Sequence, residues 1–113
     1  MADCLFCRIA AGEIPCTKVY EDEEMLAFRD IAPKAPVHIL LIPKRHIAAL
    51  GEVSEEDAGL LGRMQLRLRE LAEAEGLLES GFRIVSNSGA DSGQEVAHLH
   101  YHLLGGAKLG DIC

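Results

Sequence analysis

The sequence has no basic excess: 11 lysines and arginines stand against 18 aspartates and glutamates, a formal net charge of −7. A dedicated nucleic-acid binder needs a basic surface to neutralise phosphates, so no nucleic-acid partner is expected. A site for one small phosphorylated ligand survives this argument, because local geometry can outweigh net charge. The sequence also lacks any apolar run near the roughly 18 to 20 residues needed to span a bilayer, so no membrane partner is expected. Its start, Met1-Ala2-Asp3-Cys4, has no basic stretch followed by an apolar one, which is how a secretory leader reads, and a cytoplasmic location is the expectation. The four cysteines are too few and too uneven for a disulfide scaffold. Cys4 and Cys7 form a C-x-x-C pair, and in a reducing compartment such a pair reads as half of a metal site or as a redox pair. Cys16 and Cys113 stand alone and read as ordinary thiols. There is no internal repeat, linker or low-complexity stretch.

What is present describes one globular domain over residues 1–113, with 49% apolar and 26% charged residues. Residues 4–11 read as a short helix ended by Gly12, with Pro15 beyond it. Residues 19–22 and 25–30 read as strands joined by an acidic turn. Residues 37–42 are apolar on both faces, hence a central strand, and Pro43 ends it. Ser54 has the look of an N-cap, with Glu55, Glu56 and Asp57 in the first turn. Leu60, Leu61, Met64, Leu68 and Leu71 then recur at helical spacing, predicting one long amphipathic helix that packs on its own sheet and ends near Gly76. Residues 82–87 are a further strand, 88–94 a loop, and a last strand ends at Gly105-Gly106. This order predicts an α+β domain around an antiparallel sheet.

The last strand carries the chemistry. His98, His100 and His102 alternate with Leu99, Tyr101 and Leu103. In an extended chain this spacing sends three imidazoles to one face and the apolar residues to the other. Imidazole is a nucleophile, a proton carrier or a metal ligand near neutral pH. Same-face neighbours lie only about 7 Å apart, so the row reads as a metal cluster, a phosphate-handling site, or both. The flanks favour phosphate: Asn87 ends the preceding strand, and Ser92-Gly93-Gln94 stands just before the triplet. Small residues there let backbone N–H groups and the Asn and Gln amides point at an anion. An imidazole would attack phosphorus to give a phosphohistidine that water resolves, while its neighbours donate to the non-bridging oxygens. No paired carboxylates and no Gly-x-x-x-x-Gly-Lys loop compete with this chemistry.

The segment from Gly93 to Gly106, with His98-Leu99-His100-Tyr101-His102-Leu103-Leu104 at its centre, resembles the signature of the histidine triad family, most closely its nucleotide-binding phosphoramidase branch. The likeness also runs through Cys4-Leu5-Phe6-Cys7-Arg8-Ile9, Gly12-Glu13-Ile14-Pro15, residues 27–33, Pro36-Val37-His38 and residues 41–47. It implies a five-stranded antiparallel sheet, with a short N-terminal helix and one long helix, that continues across a two-fold homodimer. The implied reaction is cleavage of the P–N bond of a purine nucleoside 5′-phosphoramidate, with no catalytic cofactor. By position, His100 is the nucleophile that becomes nucleotidylated, His102 contacts the α-phosphate, and His38 orients or relays to His100. Asp30 matches the ribose ligand. Phe6, Ile9, Ile14, Phe28, Ile31 and Leu40 would line the purine pocket. Asn87, Gly93, Gln94 and Glu95 match phosphate-loop positions.

The resemblance also implies that His46 and His98 close a structural zinc site with Cys4 and Cys7, since two thiolates are half of a tetrahedron. The sequence departs from the family pattern at Arg29, where a histidine is common, at Ala97, where an aromatic is frequent, and at Glu95, where some relatives carry a serine near the leaving group. The tail after Gly106 is short. Two rival readings are a dinucleoside polyphosphate hydrolase of the same family and a nucleotide-binding module without turnover.

Overall fold

The computed structural model describes residues 4–111. Cys113 and the opening Met1-Ala2-Asp3 lie outside the described residues. Five strands form one antiparallel sheet: β1 (Lys18–Glu21), β2 (Met25–Arg29), β3 (Val37–Pro43), β4 (Phe82–Val85) and β5 (Tyr101–Gly105), in the order β1-β2-β3-β5-β4. The expected central strand is indeed flanked on both sides, by β2 and β5. Helix α1 (Leu5–Ala10) and helix α2 (Ala58–Ala74) cover opposite faces. Among the described residues no helix is long and apolar enough to cross a membrane.

Strand alternation sorts the core into two layers. Met25, Ala27, Ile39, Leu41, Tyr101 and Leu103 pack on Leu60, Met64, Leu68 and Leu71 of α2. Leu26, Phe28, Leu40 and Ile42 turn the other way and meet Phe6 and Ile9 of α1. Burying one such side chain contributes about 1.5–3 kcal/mol, and Leu68→Ala in this layer costs about 2–5 kcal/mol.

The start of α2 differs from the expectation. Ser54 caps a short 3₁₀ turn, Glu55–Asp57, through a reciprocal box in which Ser54 N–H donates to Asp57 at 2.9 Å. The α-helix proper begins only after it. At the other end, Gly76 takes φ +76°, the left-handed conformation that glycine adopts without strain and that stops a helix.

The histidine segment is the larger correction. Only Tyr101–Gly105 is strand; residues 98–100 precede it. The ladder to β3 stops at Leu41–Tyr101 and the ladder to β4 at Val85–His102. Pro43 has no N–H with which to extend the first. The backbone of 98–99 turns elsewhere: His98 N–H donates to Val96 at 2.8 Å and Leu99 N–H to Ile47 at 2.6 Å. The alternation of faces persists regardless, since Leu99, Tyr101 and Leu103 all enter the α2 layer.

Candidate functional site

His38 of β3 and His102 of β5 meet on the α1 face of the sheet, with Nε2 of His38 2.9 Å from Nδ1 of His102. The tautomers follow from their partners. Backbone N–H of Lys34 donates to Nδ1 of His38 at 3.0 Å, so that nitrogen carries no proton. The proton of neutral His38 therefore sits on Nε2 and is donated to Nδ1 of His102. Neutral His102 must then carry its own proton on Nε2. Asp30 completes this group: one carboxylate oxygen lies 3.4 Å from His38 Nε2 and the other accepts from Ala32 N–H at 2.8 Å.

His100 shows the reverse polarity. Its Nδ1 lies 2.7 Å from the carbonyl oxygen of His98. A carbonyl only accepts, so Nδ1 holds the proton and Nε2 keeps a free lone pair. The His100 and His102 rings have centroids 5.0 Å apart at 72°, and the Phe6 ring stands edge-on to His100 at 5.1 Å. Burial and the neighbouring imidazoles push His102 down to about 4, and burial likewise lowers His38. Both are neutral near pH 7. The arrangement therefore sets one imidazole lone pair beside one imidazole N–H donor, as nucleophilic attack at a phosphoryl centre requires.

Two clefts, about 550 and 250 Å³, share Asp30, Lys34, Asn87, Glu95 and His102 on their walls. The smaller adds Phe6, Leu40, Gly93, Val96 and His100. The larger runs past His38 to Arg83, Val85, Leu104 and the tail at Leu109 and Asp111. Ile9, Ile14 and Phe28 are not on these walls; they form the apolar layer behind Phe6 and Leu40. Ile31 is 100% exposed, because β2 ends at Arg29 and the Asp30–Ala32 turn leaves its side chain outside.

The Gln94 amide does not face an anion either. It donates to the Ala48 and Val96 carbonyls at 2.8 and 2.9 Å and accepts from Gly89 N–H at 2.8 Å, bracing the loop. Lys34, Arg83 and Val85 are wall residues that the sequence reading passed over. Period-2 alternation back from Asn87 would have found two of them, because Val85 and Arg83 stand in register with His102 and Leu104.

His98 belongs to another cluster. Cys4, Cys7, His46 and His98 offer ligand atoms that all lie within 4.8 Å of one another. Nδ1 of His98 is 3.2 Å from Cys4 Sγ and 3.5 Å from Cys7 Sγ, and Nδ1 of His46 is 3.2 Å from Cys7 Sγ. A zinc tetrahedron with ordinary bond lengths has edges of about 3.3–3.8 Å, so the spacing fits. The tautomer fits as well: His98 Nε2 donates to the Pro43 carbonyl at 2.8 Å, aiming the Nδ1 lone pair at the thiols. Burial raises the Cys7 thiol, and a divalent cation there would supply the charge that thiolates need. Cys16 lies apart, partly buried against the Phe6 layer.

The model of the HIT domain family matches residues 11–109. The chain belongs to the HIT, or histidine triad, family. It is 51% identical over 105 residues to protein HitA of Neisseria gonorrhoeae, covering 93% of this chain and 97% of that one. It is 46% identical over 108 residues to the purine nucleoside phosphoramidase of Escherichia coli K12, covering 96% and 91%. A HIT family hydrolase from Legionella pneumophila superposes with a TM-score of 0.95 at 53% identity, covering 96% of this chain and 97% of that chain. The HIT fold is thereby shared with solved relatives across nearly the whole length.

Proposed function

We propose that this HIT protein is a purine nucleoside phosphoramidase, hydrolysing the P–N bond of adenosine or guanosine 5′-phosphoramidates through a nucleotidyl-His100 intermediate. The observation that carries the reading is the opposed protonation of neighbouring rings, a free Nε2 lone pair on His100 and an Nε2–H on His102. His100 attacks the α-phosphorus, and the positive charge that its ring acquires is held by the Nδ1–H bond to His98. His102 donates to the phosphoryl oxygens or to the departing nitrogen. The P–N electron pair leaves with that nitrogen, which takes a proton from solvent and departs as an amine; the proton released when water adds in the second step returns to solvent. Water then attacks the nucleotidyl group and returns His100 to its resting tautomer.

His38, with Asp30 beside it, fixes His102 from behind, while Asp30 and the apolar Phe6 and Leu40 wall are assigned to ribose and purine. The name of the E. coli relative supports the same activity. Charge favours P–N over P–O–P substrates: Asp30, Glu95 and Asp111 outnumber Lys34 and Arg83 on the larger cleft, three carboxylates against two cations, a poor bed for a polyphosphate.

The same reading includes a structural zinc on Cys4, Cys7, His46 and His98; four protein ligands leave no open position for water. It also includes a homodimer. Among the described residues strand β4 pairs with β5 alone and its Phe82 is exposed, which supports continuation of the sheet into a second copy. A panel of AMP-amides and dinucleoside polyphosphates tests the activity. Turnover of the amides well above the polyphosphates is expected; equal or inverted rates would reject the assignment.

A further inference from the structure

The larger cleft is more room than an unsubstituted amide requires. Resting on the phosphoramidase reading, we infer that this cleft is the leaving-group subsite, built for an amine that carries its own carboxylate, with Arg83 as the specificity-determining residue. Direction comes first. In an in-line displacement the leaving group lies opposite the nucleophile. His100 lines the smaller cleft and not the larger, whereas His102 lines both. From His100 the chain runs along β5 through His102 to Leu104, so a group attached on the far side of phosphorus is carried over His102 toward Leu104. There Arg83 stands directly across from Leu104 in the β4–β5 ladder, one same-face step of about 7 Å beyond His102.

Chemistry comes second. The Arg83 guanidinium donates once, to the Gly110 carbonyl at 2.8 Å, and has no carboxylate partner among the described residues. A guanidinium has five N–H donors, so four remain, arranged in the fork that binds a carboxylate. Glu95 lines both clefts, at the junction where the P–N bond would lie, and it too has no ion-pair or hydrogen-bond partner among the described residues. A zwitterion satisfies both ends. The nitrogen, protonated as the P–N bond breaks, meets Glu95, and the carboxylate meets Arg83. Val85, Leu104 and Leu109, which line the same cleft, suit a short aliphatic side chain. A polyphosphate would set its negative charges against Glu95 and Asp111.

The test compares adenosine 5′-phosphoramidates of alanine with a free carboxylate and as the methyl ester, with AMP–NH2 as reference. Wild-type kcat/KM is expected to favour the free acid about tenfold or more. Arg83→Gln should bring the ratio to about one, and Arg83→Lys should retain part of the preference, with thermal unfolding confirming that each variant is folded. A wild type that prefers the ester or is indifferent overturns the inference, as does a ratio unmoved in folded Arg83→Gln or, should that variant not fold, in Arg83→Lys. If wild type does not turn over AMP–NH2, the phosphoramidase reading fails; if it does and the acid is not preferred, only the subsite fails.

Discussion

Two clusters of metal-capable side chains stand on the same face of this sheet, and the difference between them is protonation. Asp30, His38 and His102 form one, Cys4, Cys7, His46 and His98 the other. In the first, an unbroken series of donors and acceptors runs from Lys34 N–H through His38 to His102, so the inner lone pairs are already engaged. In the second, His98 is turned by the Pro43 carbonyl so that its lone pair faces sulfur, and Cys7 is a half-buried thiol whose desolvation favours the neutral form. Similar atoms at similar distances thus describe a proton-ordered group in one place and, in the other, a cluster whose lone pairs are free to hold a cation. The histidine row is divided between them: His102 belongs to the first and His98 to the second, while His100, in neither, is held by the His98 carbonyl.

The comparison breaks most visibly at the thiols. Cys4→Ser should abolish binding of about one zinc per chain and remove about 4 kcal/mol of stability at metal levels a thousandfold above the dissociation constant. Asp30→Asn should leave metal content unchanged. Metal analysis and chemical unfolding read both, and zinc near zero in wild type purified without chelator would refute the site.

Next comes His38→Ala. Removing the donor that fixes the His102 tautomer should lower kcat about 10- to 100-fold and leave zinc in place. Steady-state kinetics with metal analysis on the same sample checks this.

A smaller effect follows from pH. His102 and His38 titrate below the ordinary histidine value in the folded protein, His102 at about 4. The unfolded chain takes up protons there that the folded chain refuses. Stability is therefore complete above about pH 6.5 and declines as pH falls toward 4, by up to about 1.4 kcal/mol per unit of depression. Denaturant titrations across that window should show the loss, and His102→Phe should flatten part of it.

The smallest belongs to Arg29, whose guanidinium holds Glu75 through bonds of 2.9 and 3.0 Å and ties the end of β2 to α2 next to Asp30. The pair is partly exposed, so a double-mutant cycle on Arg29→Gln and Glu75→Gln should give a coupling of about 1 kcal/mol or less.

Much of this was legible from residue spacing. Alternation placed Leu99, Tyr101 and Leu103 in the core, and helical spacing placed Leu60, Met64, Leu68 and Leu71 against it. The family motifs led to both clusters. What spacing does not encode is where a hydrogen bond goes. Pro43 ends the ladder before His98 and His100 can join it, Gln94 turns its amide to the backbone, and the Asp30–Ala32 turn leaves Ile31 in solvent. Tautomers were equally out of reach, since they depend on the carbonyls of Pro43 and His98 and the N–H of Lys34. Arg83 and Val85 needed the β4–β5 register before they became part of the site.

The central claim is that His100 alone becomes covalently nucleotidylated. Rapid-quench mass spectrometry of the protein mixed with an adenosine phosphoramidate, kept above acidic pH to preserve a P–N adduct, tests it directly. The account predicts one adenylyl group on His100 in wild type, and neither adduct nor turnover in His100→Ala. An adduct on His102, or undiminished turnover by His100→Ala, would contradict it.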